Sequence, residues 1–324
     1  MKTKQIKDIQ ASALGFGCWA MGGTWNNVSD RESIDAVRAA VDHGFNFFDV
    51  APVYGLGHAE TVLGQALQGI DRSKVVIATK CGLPWDANNN VTNDLSRTSI
   101  FAEVEASLQR LQTDYLDVYQ VHWPDPNTQI EETAQALAEL RQQGKIRHVG
   151  VSNYSLEMTQ EMMKGVEVAT FQGLYNLLEQ NPTHYHNIPL QYQAREEVLP
   201  FCQQNEMKYL PYSPLMQGLL TGALKRSGNW DNNDDRCNNP KLNGEAFEPY
   251  FNCVEELKAL AAEANIPLAH LAIHWLVAQP EVGPVIAGAH TVEQVKANAQ
   301  FYQSSASDAL LAQAEDIVAR WQLE

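Results

Sequence analysis

The sequence predicts an α/β fold: one closed (β/α)8 barrel of the TIM type, spanning residues 1–324 as a single domain. Three observations predict it. Short apolar runs rich in Val, Ile and aromatics alternate with longer stretches of helical periodicity. Eight such alternations fill 324 residues, a length that suits a closed barrel better than an open sheet. The runner-up, a doubly wound sheet, is weakened because no G-x-G-x-x-G opens a helix after the first strand, and Gly15-Phe16-Gly17 alone is a weak signal.

In chain order, residues 1–10 precede the first strand and are expected to form a short hairpin that closes the barrel floor. Strands are expected at residues 13–17, 46–50, 75–80, 116–122, 148–152, 169–175, 208–213 and 283–288. Val75-Val76-Ile77-Ala78 is the continuous apolar run of a strand buried on both faces. Between the first two strands, Ser29 and Asp30 can cap a helix with the stripe Ile34, Val37 and Val41, and Gly44 is placed to end it. Residues 130–143 repeat the pattern with Ala134, Leu137 and Leu140, followed by Gly144. The rhythm breaks between Leu215 and about Tyr250, a polar stretch that reads as a long functional or disordered loop at the C-terminal face. No internal repeat, low-complexity tract or linker divides the chain.

Composition narrows the function classes. A net charge of −16 disfavours nucleic acid and anionic membranes, since both are bound through Lys and Arg. It leaves room for a phosphate-bearing cofactor, which needs only a local cluster of donors. No run approaches the roughly 18 apolar residues of a spanning helix, and the first residues lack a secretory pattern. Cys18, Cys81, Cys202, Cys237 and Cys253 are odd in number and scattered, which argues against a disulfide framework or a zinc site. A cytoplasmic, soluble protein is expected.

Catalytic groups of such barrels sit at the C-terminal strand ends. Asp49 lies near the end of the second strand, Lys80 ends the third, His122 ends the fourth, and Tyr54 follows five residues after Asp49. Each has a bland reading: a turn cap, a snorkelling lysine, a satisfied core histidine. Four at one rim on consecutive units point to chemistry. Trp25, Trp85 and Trp123 follow the first, third and fourth strands and could wall an aromatic cup for a small aldehyde or ketone. His58, His184 and His186 have no evident partners, and Asn88-Asn89-Asn90 reads as a loop tip.

Several runs resemble one known family. They are Phe48-Asp49-Val50-Ala51-Pro52-Val53-Tyr54-Gly55 with Glu60, Ala78-Thr79-Lys80, Val121-His122-Trp123, Gly150-Val151-Ser152-Asn153-Tyr154, Gln172 with Tyr175-Asn176, and Tyr212-Ser213-Pro214-Leu215. In order, from Leu14-Gly15-Phe16-Gly17 to Val295-Lys296-Ala297-Asn298, they are similar to the aldo-keto reductase superfamily, which also includes potassium-channel β subunits. The resemblance implies an NAD(P)H-dependent reductase of small carbonyls that needs no metal. Tyr54 would be the general acid, Lys80 would stabilise its anion and make the phenol more acidic, Asp49 would pair with Lys80, and His122 would orient the carbonyl.

The same resemblance implies the cofactor contacts. Ser152, Asn153 and Gln172 would hold the nicotinamide carboxamide, and Tyr212 would stack on its ring. Ser213, Leu215, Gly218 and Leu220 would run along the pyrophosphate with backbone amides as donors, and Lys225 and Arg226 could add charge there. Gly288, His290, Gln294 and Asn298 would meet the adenosine end. Relatives commonly show Ile-Pro-Gly-Ala-Arg, Glu-Gln and Glu-Asn there, whereas this chain has Ile286-Ala287-Gly288-Ala289-His290, Glu293-Gln294 and Ala297-Asn298. A mostly neutral histidine grips a 2′-phosphate less well than a guanidinium, so NADH use becomes an option beside NADPH. Two other readings keep the barrel: a redox-sensing regulatory subunit, and a Schiff-base lyase with Lys80 as nucleophile.

Overall fold

The computed structural model describes residues 2–23, 28–226, 230 and 234–323. Strands β1 (Thr3–Ile6) and β2 (Ile9–Ser12) pair antiparallel, forming the expected hairpin. Its Ile6, Ile9 and Ala11 meet Phe47, Val76, Ala78, Val118, Ala169, Leu210 and Ile286 in one buried cluster, which plugs the barrel floor. Burying each isoleucine is worth about 1.5–3 kcal/mol, so the hairpin seals the lower end at a gain.

The barrel strands are β3 (Leu14–Gly17), β4 (Phe47–Asp49), β5 (Val76–Cys81), β6 (Leu116–Val121), β7 (Ile146–Ser152) and β8 (Val168–Leu174). After β8 comes a small hairpin of β9 (His184–Tyr185) and β10 (Ile188–Pro189), followed by the barrel strands β11 (Lys208–Tyr212) and β12 (Val285–Gly288). Eight parallel strands run in the order β11-β8-β7-β6-β5-β4-β3-β12. Residues 209 and 281–283 close the ring: Gly283 N donates to Tyr209 O at 2.8 Å and Tyr209 N to Glu281 O at 3.0 Å. All eight expected barrel strands form, with bounds shifted by a residue or two. The β9–β10 hairpin was not expected.

Ten α-helices surround or cap the barrel: α1 (Asp30–Asp42), α2 (His58–Ala66), α3 (Arg97–Leu111), α4 (Ile130–Gln142), α5 (Leu156–Met163), α6 (Leu199–Gln204), α7 (Gly244–Glu263), α8 (Leu268–Val277), α9 (Val292–Ala299) and α10 (Asp308–Trp321), counted among the described residues. Ser29 caps α1 in a reciprocal box with Glu32, and Gly44 follows its end at φ 84°. The buried face of α1 is Ser33, Ala36, Val37 and Ala40, so the stripe read from Ile34 and Val41 is offset. Small residues let the helix approach the strands closely, while Ile34 and Val41 fill the flanks. The stretch from Leu215 is shorter as a loop than expected. Turns of 3-10 helix occupy Met216–Thr221, Asp235–Asn238 and Pro240–Leu242, and α7 already starts at Gly244. No helix among the described residues is long and apolar enough to cross a membrane, and Cys18, Cys81, Cys202 and Cys253 are buried free thiols.

Candidate active site

Side chains alternate along a strand, so residues two apart share a face. Phe47, Ala78, Val118 and Leu210 point into the floor cluster. Two residues further along the same strands stand Asp49, Lys80, Gln120 and Tyr212, which therefore rise inward at the C-terminal rim. The fold thus brings polar groups to one place by strand periodicity alone.

Lys80 is fully buried. Its Nζ donates to Asp49 Oδ1 at 2.7 Å, to Val50 O at 3.0 Å and to Tyr54 Oη at 3.3 Å. Asp49 Oδ2 accepts from Gln172 Nε2 at 2.8 Å and from Gln120 Nε2 at 3.4 Å. Both ions of this buried pair keep their hydrogen bonds, the condition under which such a pair is tolerated. Burial alone would lower the Lys80 ammonium, but Asp49 and Tyr54 outweigh it and hold its pKa above the usual lysine value.

Tyr54 sits in the turn after β4, with its N–H on Ala51 O at 3.1 Å. Gly55 adopts φ +64°, and a Cβ there would lie 2.4 Å from Gly22 O, so backbone contact with the β3 loop fixes the tyrosine. Glu60 anchors the following helix, accepting from Thr79 Oγ1 at 2.6 Å and Arg110 Nε at 2.7 Å. The His122 ring is edge-on to Tyr54, with centroids 5.8 Å apart. Burial, then the Lys80 charge, pushes the His122 pKa well below its ordinary value, so the imidazole is neutral. Lys80 acts on Tyr54 in the expected direction, lowering its pKa, but burial is the larger effect. Burial raises the phenol's pKa, and the nearby ammonium offsets that rise without reversing it.

The candidate cofactor residues divide. At the ends of β7, β8 and β11, Ser152, Asn153, Gln172 and Tyr212 form one connected group. Asn153 Nδ2 donates to Ser152 Oγ at 3.1 Å and to His122 O at 3.3 Å, and its Oδ1 accepts from Tyr212 Oη at 3.0 Å. Gln172 joins this group to Asp49, leaving its Oε1 without a hydrogen bond among the described residues. Ser213 has φ 52°, and its carbonyl accepts from Asn176 Nδ2 at 3.1 Å.

Beyond Ser213 several of the expected donors have partners within the chain. The amides of Gly218 and Leu220 both donate to Leu215 O, at 3.0 and 3.1 Å, so the loop uses them itself. Arg226 turns outward onto α7, where it pairs with Glu248, bonds Asn252 Oδ1 at 2.7 Å and lies over Phe251. Its charge is therefore taken up there, while Lys225 is exposed. At the far end, Gly288 closes β12, His290 N donates to Gln294 Oε1 at 2.9 Å, and Gln294 and Asn298 share a face of α9. Burial lowers the His290 pKa, with Glu32 opposing it.

Trp123 is half-buried, 6.5 Å from the Tyr185 ring. Trp85 is also half-buried, under the Arg110 guanidinium at 5.8 Å. Trp25 lies outside the described residues. His58 pairs with Asp30 at 2.7 Å, and His186 faces Gln217 at 3.3 Å. Among the described residues no group of three or more His, Cys, Asp or Glu could hold a metal ion. Gln120 and Tyr185 were missed from sequence. Gln120 was detectable as a polar residue in register with Val118, whereas Tyr185 carried no signal.

A model of the aldo/keto reductase family matches residues 13–319. An aldo-keto reductase of Bacillus subtilis is 39% identical over 292 residues, covering 89% of this chain and 84% of that protein. The NADH-specific methylglyoxal reductase of Escherichia coli is 34% identical over 317 residues, covering 93% of each. Among solved structures, the glycerol dehydrogenase of Gluconobacter oxydans superposes with a TM-score of 0.88 at 33% identity, covering 99% of this chain and 96% of that one.

Proposed function

This chain belongs to the aldo/keto reductase family of oxidoreductases, and from that premise we propose that it reduces small aldehydes or ketones with NAD(P)H, using Tyr54 as the general acid. The observation that carries the reading is the contact of Tyr54 Oη with Lys80 Nζ at 3.3 Å, with Asp49 behind it at 2.7 Å.

The donor set suits a nicotinamide cofactor. The open Oε1 of Gln172 and the Ser152 hydroxyl match the donor and acceptor of a carboxamide, and the half-exposed Tyr212 ring offers a stacking face. Asn153 acts as a brace, since its side chain already serves Ser152, His122 O and Tyr212. When bound, NAD(P)H supplies the hydride that the carbonyl carbon accepts.

The chain's own residues handle the proton. Tyr54 keeps its proton on Oη until an alkoxide develops, because burial holds the phenol's pKa up. As that proton leaves, the Lys80 ammonium stabilises the phenolate, and Asp49 keeps the ammonium charged and aimed. Neutral His122 donates a hydrogen bond to the carbonyl oxygen and orients it.

The test is Tyr54→Phe, assayed at 340 nm with both cofactors on short aldehydes. Turnover should fall roughly 10²- to 10⁴-fold while cofactor affinity stays within twofold. Retained turnover would remove Tyr54 from the proton path.

A further inference from the structure

The β9–β10 hairpin delivers one more side chain to the rim. The Tyr185 ring meets Tyr212 edge-on at 5.3 Å and Trp123 at 6.5 Å, while His186 stacks on it at 4.3 Å. Three rings therefore set the plane of this phenol. Its carrier is held as well: Leu190 N bonds Thr183 O at 2.8 Å, and Gln217 ties His186 to Asp235 and Asn239. The Tyr185 hydroxyl is not among the buried unpartnered polar atoms, so it stays open to a hydrogen-bond partner from outside the chain. Among the described residues it has no such partner, and burial with Asp235 and Tyr54 nearby keeps it protonated by raising its pKa.

The electrostatics around this hydroxyl disfavour anions. Asp235 acts on it, and Glu179 does so from opposite its own partner Lys241. Each nearby cation already faces a carboxylate: Lys80 faces Asp49, Lys241 faces Glu179 and Arg236 faces Asp234. Burial also lowers the His186 pKa, so that imidazole adds no positive charge at pH 7.

We propose that Tyr185 is a specificity-determining residue whose phenol hydroxyl binds a hydroxyl group borne near the substrate carbonyl. The site then favours short, uncharged hydroxy-aldehydes and hydroxy-ketones over plain aldehydes and over carboxylates. A phenol can donate to and accept from an alcohol, whereas a hydrocarbon chain leaves it unpaired. The inference rests on the reductase reading above and narrows its substrate class.

Wild type and Tyr185→Phe are compared at 340 nm on 2-hydroxypropanal, propanal and glyoxylate, with cofactor affinity followed by fluorescence. Phenylalanine keeps the ring packing and removes the hydroxyl. Wild type should prefer 2-hydroxypropanal to propanal. The variant should lose roughly 3- to 10-fold in kcat/KM on 2-hydroxypropanal, mainly through KM, and stay within twofold on propanal. Equal losses on both aldehydes, no loss on either, a shift in cofactor affinity, or glyoxylate as the best substrate would overturn the assignment alone. Absence of turnover of any carbonyl by wild type would overturn the reductase reading and this inference with it.

Discussion

Replacing Lys80 with methionine separates the chemistry of the buried ion pair from its contribution to the fold. At an effective dielectric near 20, a full negative charge on Tyr54 Oη, 3.3 Å from Lys80 Nζ, is stabilised by about 5 kcal/mol. A phenolate half-formed at the transition state keeps roughly half of that, and ~2.5 kcal/mol is close to 10² in rate. The same change leaves Asp49 buried opposite a thioether. Breaking such a pair costs about 3–5 kcal/mol, and here the lower end applies, because Gln172 and Gln120 still bond Oδ2. The double variant Asp49→Asn/Lys80→Met removes the stranded carboxylate and should recover most of the lost melting temperature but none of the turnover. The sign of the pH effect follows too. Without the ammonium, nothing offsets the burial that raises Tyr54, so any alkaline fall in reduction moves to higher pH. The assays are thermal melts and 340 nm kinetics from pH 6 to 10. Lys80→Met keeping kcat within fivefold, or activity returning in the double variant, would refute the reasoning.

Two further outcomes follow from other parts of the molecule. With its pKa lowered by burial and Glu32 beside it, His290 brings little positive charge to a 2′-phosphate. NADPH turnover should therefore not exceed NADH turnover a hundredfold at equal concentrations, and His290→Arg should lower the KM for NADPH about tenfold while sparing NADH. Burial raises Glu103 from 4.5 to about 7, and its Oε2 is buried without a hydrogen bond among the described residues. The folded chain then keeps a proton that the unfolded chain releases across that window, so stability is lost as pH rises through it. Glu103→Gln should raise stability by about 1–3 kcal/mol at pH 8 and leave it nearly unchanged at pH 4.5, which melts at the two pH values would decide.

The barrel was legible because burial on both faces favours apolar runs such as Val75-Val76-Ile77-Ala78, and a charged residue such as Lys80 just beyond such a run is conspicuous. The short β9–β10 hairpin gave no such signal, since strands of two residues cannot show a period. Helix α7 started earlier than expected because Pro249 and a polar lead-in mask its first turns. Partners distant in sequence were illegible for a different reason. Nothing local tells Arg226 that Glu248 and Asn252 will reach it before any phosphate does, or tells Gln172 that Asp49, 123 residues away, is its partner.

That last bond changes how the proton donor should be understood. Asp49 uses one oxygen for Lys80 and the other for Gln172, so the carboxylate stands between the acid's ammonium and the candidate carboxamide site. A group that engages the free Oε1 of Gln172 polarises its amide and strengthens the Nε2 bond to Asp49. A carboxylate drawn harder toward Gln172 gives up part of its hold on Lys80, which leaves more of the ammonium's charge to act on Tyr54 Oη. If Tyr54 is the proton donor, burial keeps its phenol protonated beforehand, and filling the neighbouring site would shift the balance toward release. On this view Gln172→Glu should hurt turnover more than cofactor affinity. A carboxylate there repels Asp49 and competes for Lys80, so the damage falls on the proton step.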